Sequence, residues 1–539
     1  MFAHFSFANK EMYCMMHIPE QFSFFRSGFL TQLALLAAFL FAFPAYAQKV
    51  NIAVSLKGVQ NDTLILGYPL GAPNVLKHAD TLVLRKGKGA FRSDSLYPAG
   101  LYCLITDGKK YDFLMPKADQ QFRMAFDTTN FLQSVRVKGS VENRELYRYM
   151  QYMADQRSIL LRLEEELGKW EESRWNSPGE KDEKTSSIGG GGLRPEEQME
   201  VLEGQIEEVQ QRVKQYSMAQ IKAHEQNIFG KFLKAYSEIE LPVMPLRPDG
   251  LPVDSFFAYR YYREHYFDNA DYADPDLMRM PLMGEKISTY ASAVLPMIPD
   301  TVITEADRML TRAKGNKETF KVVLTALFDT YLQSDMVAAE NVWVHLAEKW
   351  FFPYADWATP EYSSALKEEV EARKKTLIGA VAPALDVTLL PPSYFRKAGV
   401  DSLPTVDKTA GEKVSALSLL DGKVNLLYFW EPECGHCQIY TPELYAIYNK
   451  YKEMGMRVVT VQTNNSDSGR RAWVDFVNRN GLYNWPLTWV PDSYQYKIDY
   501  NLLSSPQIFL IEGGSGRILI KNVPVEQIEE ITQMIIKPN

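Results

Sequence analysis

The sequence predicts a multidomain chain: an all-β, sandwich-like N-terminal domain, a central all-α domain with a long helix pair, and a C-terminal α/β domain. Three observations predict it. Short alternating apolar runs broken by Gly, Pro, Asn and Asp fill the first part. A heptad-spaced apolar seam marks the middle. Strand and helix patterns alternate at the end. At 539 residues and 46% hydrophobic side chains, the chain can bury several cores. Its net charge of −8 argues against a nucleic-acid partner.

Residues 1–47 read as an export signal. Gly28 to Phe43 is almost wholly apolar, Arg26 precedes it, and Ala45-Tyr46-Ala47 puts small residues at the cleavage positions. Cleavage after Ala47 would leave no stable membrane span, so we expect an exported protein of the periplasm or cell envelope. Residues 48–140 form the β-rich domain, with strands expected at 50–54, 63–66, 82–84, 101–105 and 121–126. Cys103 falls in one of them and reads as a buried, inert thiol.

Residues 141–378 form the helical domain. Met199, Leu202, Ile206, Val209, Val213 and Tyr216 alternate steps of three and four, and Leu146, Met150, Met153, Leu160 and Leu167 nearly do the same. Between the two series, 173–194 contains Gly189-Gly190-Gly191-Gly192 and many charges, a composition that buries no core. The expectation is an antiparallel helix pair with a mobile tip. Further helices are expected at 255–266, 304–313, 317–333, 341–350 and 361–375. His265 lies near Glu264, Asp268 and Asp271, but no second histidine stands at metal-ligand spacing. His224 and His345 are solitary, and all three read as polar positions on helix faces. The region reads as a scaffold or a partner-docking surface.

Residues 379–539 alternate strands (426–430, 457–461, 507–511, 517–520) with helices (442–452, 471–477, 525–536), which argues for a partly parallel sheet. Here lies the one stretch with evident chemistry, Phe429-Trp430-Glu431-Pro432-Glu433-Cys434-Gly435-His436-Cys437. The first cysteine sits where a strand hands over to a helix, so free amides and the helix dipole can stabilise its thiolate. The dipole is worth about 1 kcal/mol, or roughly one pKa unit. Cys434 is therefore the expected attacking thiolate and Cys437, one turn on and more enclosed, the resolving thiol. Gly435 and His436 are expected to tune the pair. A positive His436 would favour the reduced form and make the disulfide less reducing than a Gly-Pro version. Half a zinc site would need a second pair, and a c-type haem site would need His where Gln438 stands. No cofactor and no metal is called for.

Phe429-Trp430, the Cys-Gly-His-Cys motif, Pro442 five residues beyond it, and Ser505-Pro506 ahead of the strand 507–511 resemble the thioredoxin superfamily. The insertion between Val458 and Asn501, with its extra helix, resembles exported thiol-disulfide oxidoreductases of the TlpA/ResA type. The whole architecture is similar to secreted bacterial proteins that carry a β domain and a helical domain of unknown function ahead of such a module. The resemblance implies a thioredoxin-like fold for 379–539 and thiol-disulfide exchange with protein thiols or disulfides outside the cytoplasm. It also implies a membrane-linked electron donor. It implies a cis-proline at Pro506 opposite the cysteines, and substrate contacts from Ser505, Pro506 and Trp430. The direction of electron flow is set by potentials and partners, not by the motif.

Two departures matter. The buried acid of thioredoxin is matched by Tyr428, and the acid that ResA-type proteins place three residues past the second cysteine is matched by Tyr440. Glu431, Glu433 and Glu443 are nearby in sequence, and none is assigned as proton acceptor. A rival reading is a redox-inactive scaffold of the cell envelope whose helical domain docks a partner. The intact cysteine pair argues against it.

Overall fold

A computed structural model of the chain describes residues 49–60, 62–175, 195–397, 411–491 and 493–536. The expected export signal and the greater part of the expected mobile tip, 176–194, lie outside the described residues.

The first strands are β1 (Val50–Lys57), β2 (Thr63–Leu70), β3 (Ala72–Val83), β4 (Lys88–Ser93), β5 (Gly100–Thr106), β6 (Lys109–Met115), β7 (Gln121–Asp127) and β8 (Arg136–Lys138). They make two four-stranded sheets, in the orders β4-β1-β7-β8 and β3-β2-β5-β6. In β1, Val50, Ile52, Val54 and Leu56 are buried while Asn51 and Lys57 face out, the alternation of a sheet with one face on a core. β1 runs antiparallel to β4 and parallel to β7. The expected 82–84 strand falls at the end of the longer β3. β4 and β6 went unforeseen because lysines open them and blur the apolar alternation. Cys103 on β5 is fully buried, and its thiol donates to the Gly67 carbonyl at 3.5 Å. Burial pushes this thiol up to about 11.

The helices Val141–Trp175 and Pro195–Ala223 pack antiparallel. Tyr149 meets Ser217 at 2.9 Å between hydroxyls, and the Tyr152 ring lies 4.0 Å from that of Tyr216. Leu202 and Val209 of the heptad seam are buried. Shorter helices follow at Ile228–Tyr236, Phe257–His265, Leu282–Thr289, Pro299–Ala313, Lys317–Leu332, Ala339–Leu346 and Pro360–Lys374. Two of these, Ile228–Tyr236 and Leu282–Thr289, contain a glycine that lowers helix propensity and hid them from sequence reading. Gly284 permits a close approach. Its N–H donates to the Gly71 carbonyl at 2.9 Å, and a Cβ at 284 would run into that oxygen.

Strands and helices of this N-terminal body share one apolar core. Ile52, Phe113, Tyr147, Met283, Leu327 and Trp350 belong to a single connected cluster. Buried Asn143, at the start of the first long helix, is bonded to both the N–H and the C=O of Leu114 on β6, each at 2.7 Å.

The C-terminal sheet contains β9 (Asp386–Leu390), β10 (Glu412–Ser415), β11 (Val424–Trp430), β12 (Met456–Gln462), β13 (Leu487–Trp489), β14 (Gln507–Ile511) and β15 (Ile518–Lys521). Their order is β10-β9-β13-β12-β11-β14-β15. β11 is central, parallel to β12 and antiparallel to β14, and every one of its residues is buried. That explains its apolar reading, broken only by Asn425, whose buried amide donates to the Gly422 and Ile511 carbonyls. Its alternate side chains enter two cores. Leu426, Tyr428 and Trp430 face the helices Gly435–Tyr451, Asp467–Asn480 and Val525–Ile536, while Leu427 and Phe429 face Tyr496 and Tyr500. The chain is thus an N-terminal β part, a central helical part and a C-terminal α/β part.

The C-terminal sheet meets the body along a polar seam. Glu340 of the body accepts from both Lys521 on β15 and Arg373. Lys375 pairs with Asp499 at 2.6 Å. The Gly379 N–H donates to Ile518 at 2.8 Å, and Arg517 donates to the Gly379 carbonyl at 3.0 Å. Among the described residues, no helix is long and apolar enough to cross a membrane.

Candidate active site

β11 ends at Trp430, and a short turn in which the Cys434 N–H donates to Glu431 leads into the helix Gly435–Tyr451. Cys434 is the N-cap of that helix, in extended conformation, with its side chain making no cap bond. Its sulfur is partly exposed and stands at the positive end of the helix dipole. Cys437, one turn further on, is fully buried. Burial holds its thiol well above the ordinary range, and the Glu431 N–H bonded to the sulfur pulls the other way. Both cysteines stand as free thiols.

The loop before β14 closes the site. The Ser505-Pro506 peptide is cis, and the Cys434 thiol donates to the Ser505 carbonyl at 3.2 Å. Pairing of β14 with β11 brings these distant residues together, with Gln507 opposite Phe429. Gly435 and His436 are exposed on the first turn, and the His436 ring lies parallel to that of Tyr440 at 6.1 Å. Pro442 lies inside the same helix.

Trp430 is not where a substrate contact would be. Its indole is fully enclosed beneath the helix, stacked with Tyr428 at 6.2 Å and against Phe476 at 5.4 Å. The period of the strand turns it inward, so it packs the core and reaches no ligand from this position.

Beneath the cysteines the structure places neutral hydroxyls. Tyr428 is fully buried and its hydroxyl is 2.7 Å from that of buried Thr441. Burial and the neighbouring Cys437 keep the phenol well above its ordinary range. Tyr440 instead turns to Glu526 of the last helix, whose hydrogen bond raises its phenol.

On the open side, a cavity of about 370 Å³ is lined by Cys434, Ser505, Glu431, Thr463, Lys497 and Leu503. The Thr463 hydroxyl donates to Glu431 Oε1 at 2.7 Å, and Lys497 Nζ lies 3.8 Å from the same oxygen. Sequence reading missed Thr463 and Lys497, which arrive from β12's end and from the Gln495–Asp499 helix. Their only sequence signal is that they lie in the insertion. Glu433 is exposed and receives the Asn464 side-chain amide at 2.8 Å, and Glu443 is exposed on the helix.

The helical part offers less. His265 bonds Asp268 at 2.6 Å, and His345 bonds Asp307 at 2.9 Å. Among the described residues, no three His, Cys, Asp or Glu side chains are grouped so as to hold a metal ion.

Comparison with known proteins agrees with this geometry. Residues 422–518 match the model of a family described as thioredoxin-like. A curated relative, the sporulation thiol-disulfide oxidoreductase A of Bacillus subtilis, is 25% identical over 114 residues, which cover 21% of this chain and 68% of that protein. Among solved structures, a thioredoxin-like protein from Bacteroides caccae is similar at 18% identity and a TM-score of 0.36, over 55% of this chain and 99% of that one. StoA from Bacillus subtilis is similar at 26% identity and a TM-score of 0.20, over 23% of this chain and 90% of that one. The C-terminal part of the chain is a thioredoxin-like domain, with thiol-disulfide oxidoreductases among its relatives.

Proposed function

We propose that the protein is a thiol-disulfide oxidoreductase that acts on protein thiols or disulfides outside the cytoplasm. In this reading Cys434 is the attacking thiolate and Cys437 the resolving thiol. The observation that carries it is the asymmetry of the pair: one sulfur is partly exposed at a helix N-terminus beside a cavity, and its neighbour is buried one turn on. The Cys434 thiolate attacks a substrate disulfide, a Cys434–substrate bond forms, and the outer substrate sulfur leaves with the electron pair. The Cys437 sulfur then attacks Cys434. The mixed disulfide breaks, the second substrate sulfur leaves as a thiolate, and the pair is left oxidised.

Ser505 is positioned to pair its backbone with an extended substrate strand, because its carbonyl already meets Cys434. Gly435 and His436 form the exposed lip of the site and tune the potential. Export by the N-terminal segment places the pair in an oxidising compartment, where sustained reduction needs an electron donor linked to the membrane. The test is trapping. Cys437→Ala is expected to accumulate mixed disulfides through Cys434 and to lose turnover in insulin reduction with dithiothreitol. A wild type without turnover and a variant without adducts would instead favour the scaffold reading.

A further inference from the structure

The helical part carries an apolar face that no described residue covers. Between the helices Ile228–Tyr236 and Phe257–His265, every residue of 240–251 is exposed. The Arg247 N–H donates to the Leu251 carbonyl at 2.7 Å and the Val253 N–H to the Pro245 carbonyl at 3.0 Å. Residues 245–253 therefore stand out as a small hairpin, turned by Gly250 at a φ of 80°. Its side chains are those of a core. Leu241, Val243, Met244, Leu246, Leu251 and Val253 are all exposed, Val243 to 94%. Phe256, Tyr259 and Tyr262 carry the face on to the next helix. At about 100 Å² for each half-exposed side chain, the face presents on the order of 1,000 Å². The largest apolar patch of an ordinary monomer is about 300–600 Å², and one side of a standard interface is about 800 Å².

A groove opens beside the hairpin. It is a cavity of about 1620 Å³ with Met218, Ile221, Tyr236, Ile239, Leu241 and Tyr261 in its lining. Leu241 belongs to both, so protrusion and groove adjoin on one face. Charges on this face are paired within it: Lys214 with Glu240 at 2.8 Å, Lys231 with Asp274 and Asp276 at 2.7 Å, Arg247 with Asp249 at 3.5 Å, and Arg260 with Asp254. Three kinds of occupant need different things. A lipid surface would draw Asp249, at the hairpin turn, out of water. An extended client strand would need a row of free N–H groups, and Pro242, Pro245, Pro248 and Pro252 supply none. A second copy of the chain needs a patch that fits itself. That means a knob beside a hole, with charges already neutralised, because a two-fold axis brings each patch against its own like.

We infer that this face is a two-fold contact between copies of the chain, in which the hairpin 245–253 of each copy seats in the groove of the other. The apolar side chains of the hairpin then leave water against Met218, Ile221 and Tyr261, and the internally paired ions form the rim. The inference does not depend on the redox reading. Each dimer brings two Cys434–Cys437 pairs into one particle.

The experiment is sedimentation velocity of the full chain, kept reduced so that no intermolecular disulfide contributes. A dimer in the micromolar range or tighter is expected. Val243→Glu in the hairpin and Met218→Arg in the groove are each expected to weaken it at least about 100-fold, since a two-fold contact meets each substitution twice. Thermal melts should be unchanged, because both side chains are at least half exposed. Val83→Glu, at an exposed apolar position on β3, is expected to leave the dimer intact. Mixing the hairpin and groove variants is expected to restore a heterodimer, since one hairpin–groove contact is intact and the other sets the new carboxylate against the new guanidinium. A wild type that stays monomeric at about 100 μM overturns the inference. Flotation of that monomer with phosphatidylethanolamine–phosphatidylglycerol vesicles would then assign the face to lipid, and retention of unfolded carboxymethylated lactalbumin would assign it to a client. A dimer indifferent to both substitutions, or variants that do not restore each other, also overturns it.

Discussion

The N-terminal body and the C-terminal sheet are built alike inside and joined by other means. Within the body, strands and helices are welded by one apolar cluster that runs from β1 to the Pro360–Lys374 helix. Between the body and the sheet, the described polar contacts are the Glu340–Lys521 and Lys375–Asp499 ion pairs, with the connection 379–382 bonded backbone to backbone along 516–518. Apolar packing is strong and indifferent to small rotations. Charge pairs with side chains less than a quarter exposed are directional and lose much when one member is removed. The difference teaches that the body folds as one unit, while the pose of the thioredoxin-like domain is set by a few polar groups.

The comparison breaks first if the body is not one unit. Phe113 is fully buried between Tyr102 and Phe122 in the shared core. Phe113→Ala should cost about 3–5 kcal/mol. In urea titration, the loss should appear in strand and helix signals together. Separate transitions for the two would dissolve the single core.

The seam is tested by Glu340→Ala. This leaves the Lys521 ammonium enclosed, where burial already pulls it below its ordinary range and Glu340 alone offsets the pull. The expected cost is about 3 kcal/mol, felt at the seam. Faster proteolytic cleavage within 375–385, with the body's own denaturation midpoint unchanged, is the expected pattern. A fall in the body's midpoint would mean that the seam is part of its core.

The smallest effect sharpens the contrast from the body's side. Asp307 joins the Pro299–Ala313 helix to His345, Lys349 and Trp350. Burial raises this carboxyl, yet the three donors outweigh it and hold it below the ordinary range. A lowered carboxylate stabilises fully above the unfolded value of about 3.9, and its contribution fades as pH falls through the lower folded value. Asp307→Asn should therefore cost about 1.5 kcal/mol at pH 7 and clearly less at pH 3 by chemical denaturation. Equal losses at both pH values would remove the charge from the account.

Much of this was legible in the sequence. The run Val424–Trp430 followed by Cys434 and Cys437 gave strand, turn and helix, because a central parallel strand is apolar on both faces. The heptad spacing of Leu202 and Val209 foretold the helix pair. What escaped was short or composed across distance. Leu487–Trp489 has three residues and no period to read, and Asp386–Leu390 runs into Pro391. The resemblance implies a substrate contact from Trp430, whereas the alternation of its own strand sends it in with Tyr428. Lys497 and Thr463 could not be linked to Glu431 without the fold, since only the sheet brings the ends of β11 and β12 together.

Leu503 lines two spaces at once. One is the cavity beside Cys434, and the other is a narrow cleft at the seam that includes Glu340 and Arg373. β14 starts next to Pro506, and its neighbour β15 carries Lys521 opposite Phe509. The cleft on the far side of Leu503 is therefore walled in part by the helices that carry Glu340 and Arg373. Leu503 is thus a shared wall between the cysteine cavity and the seam with the helical part.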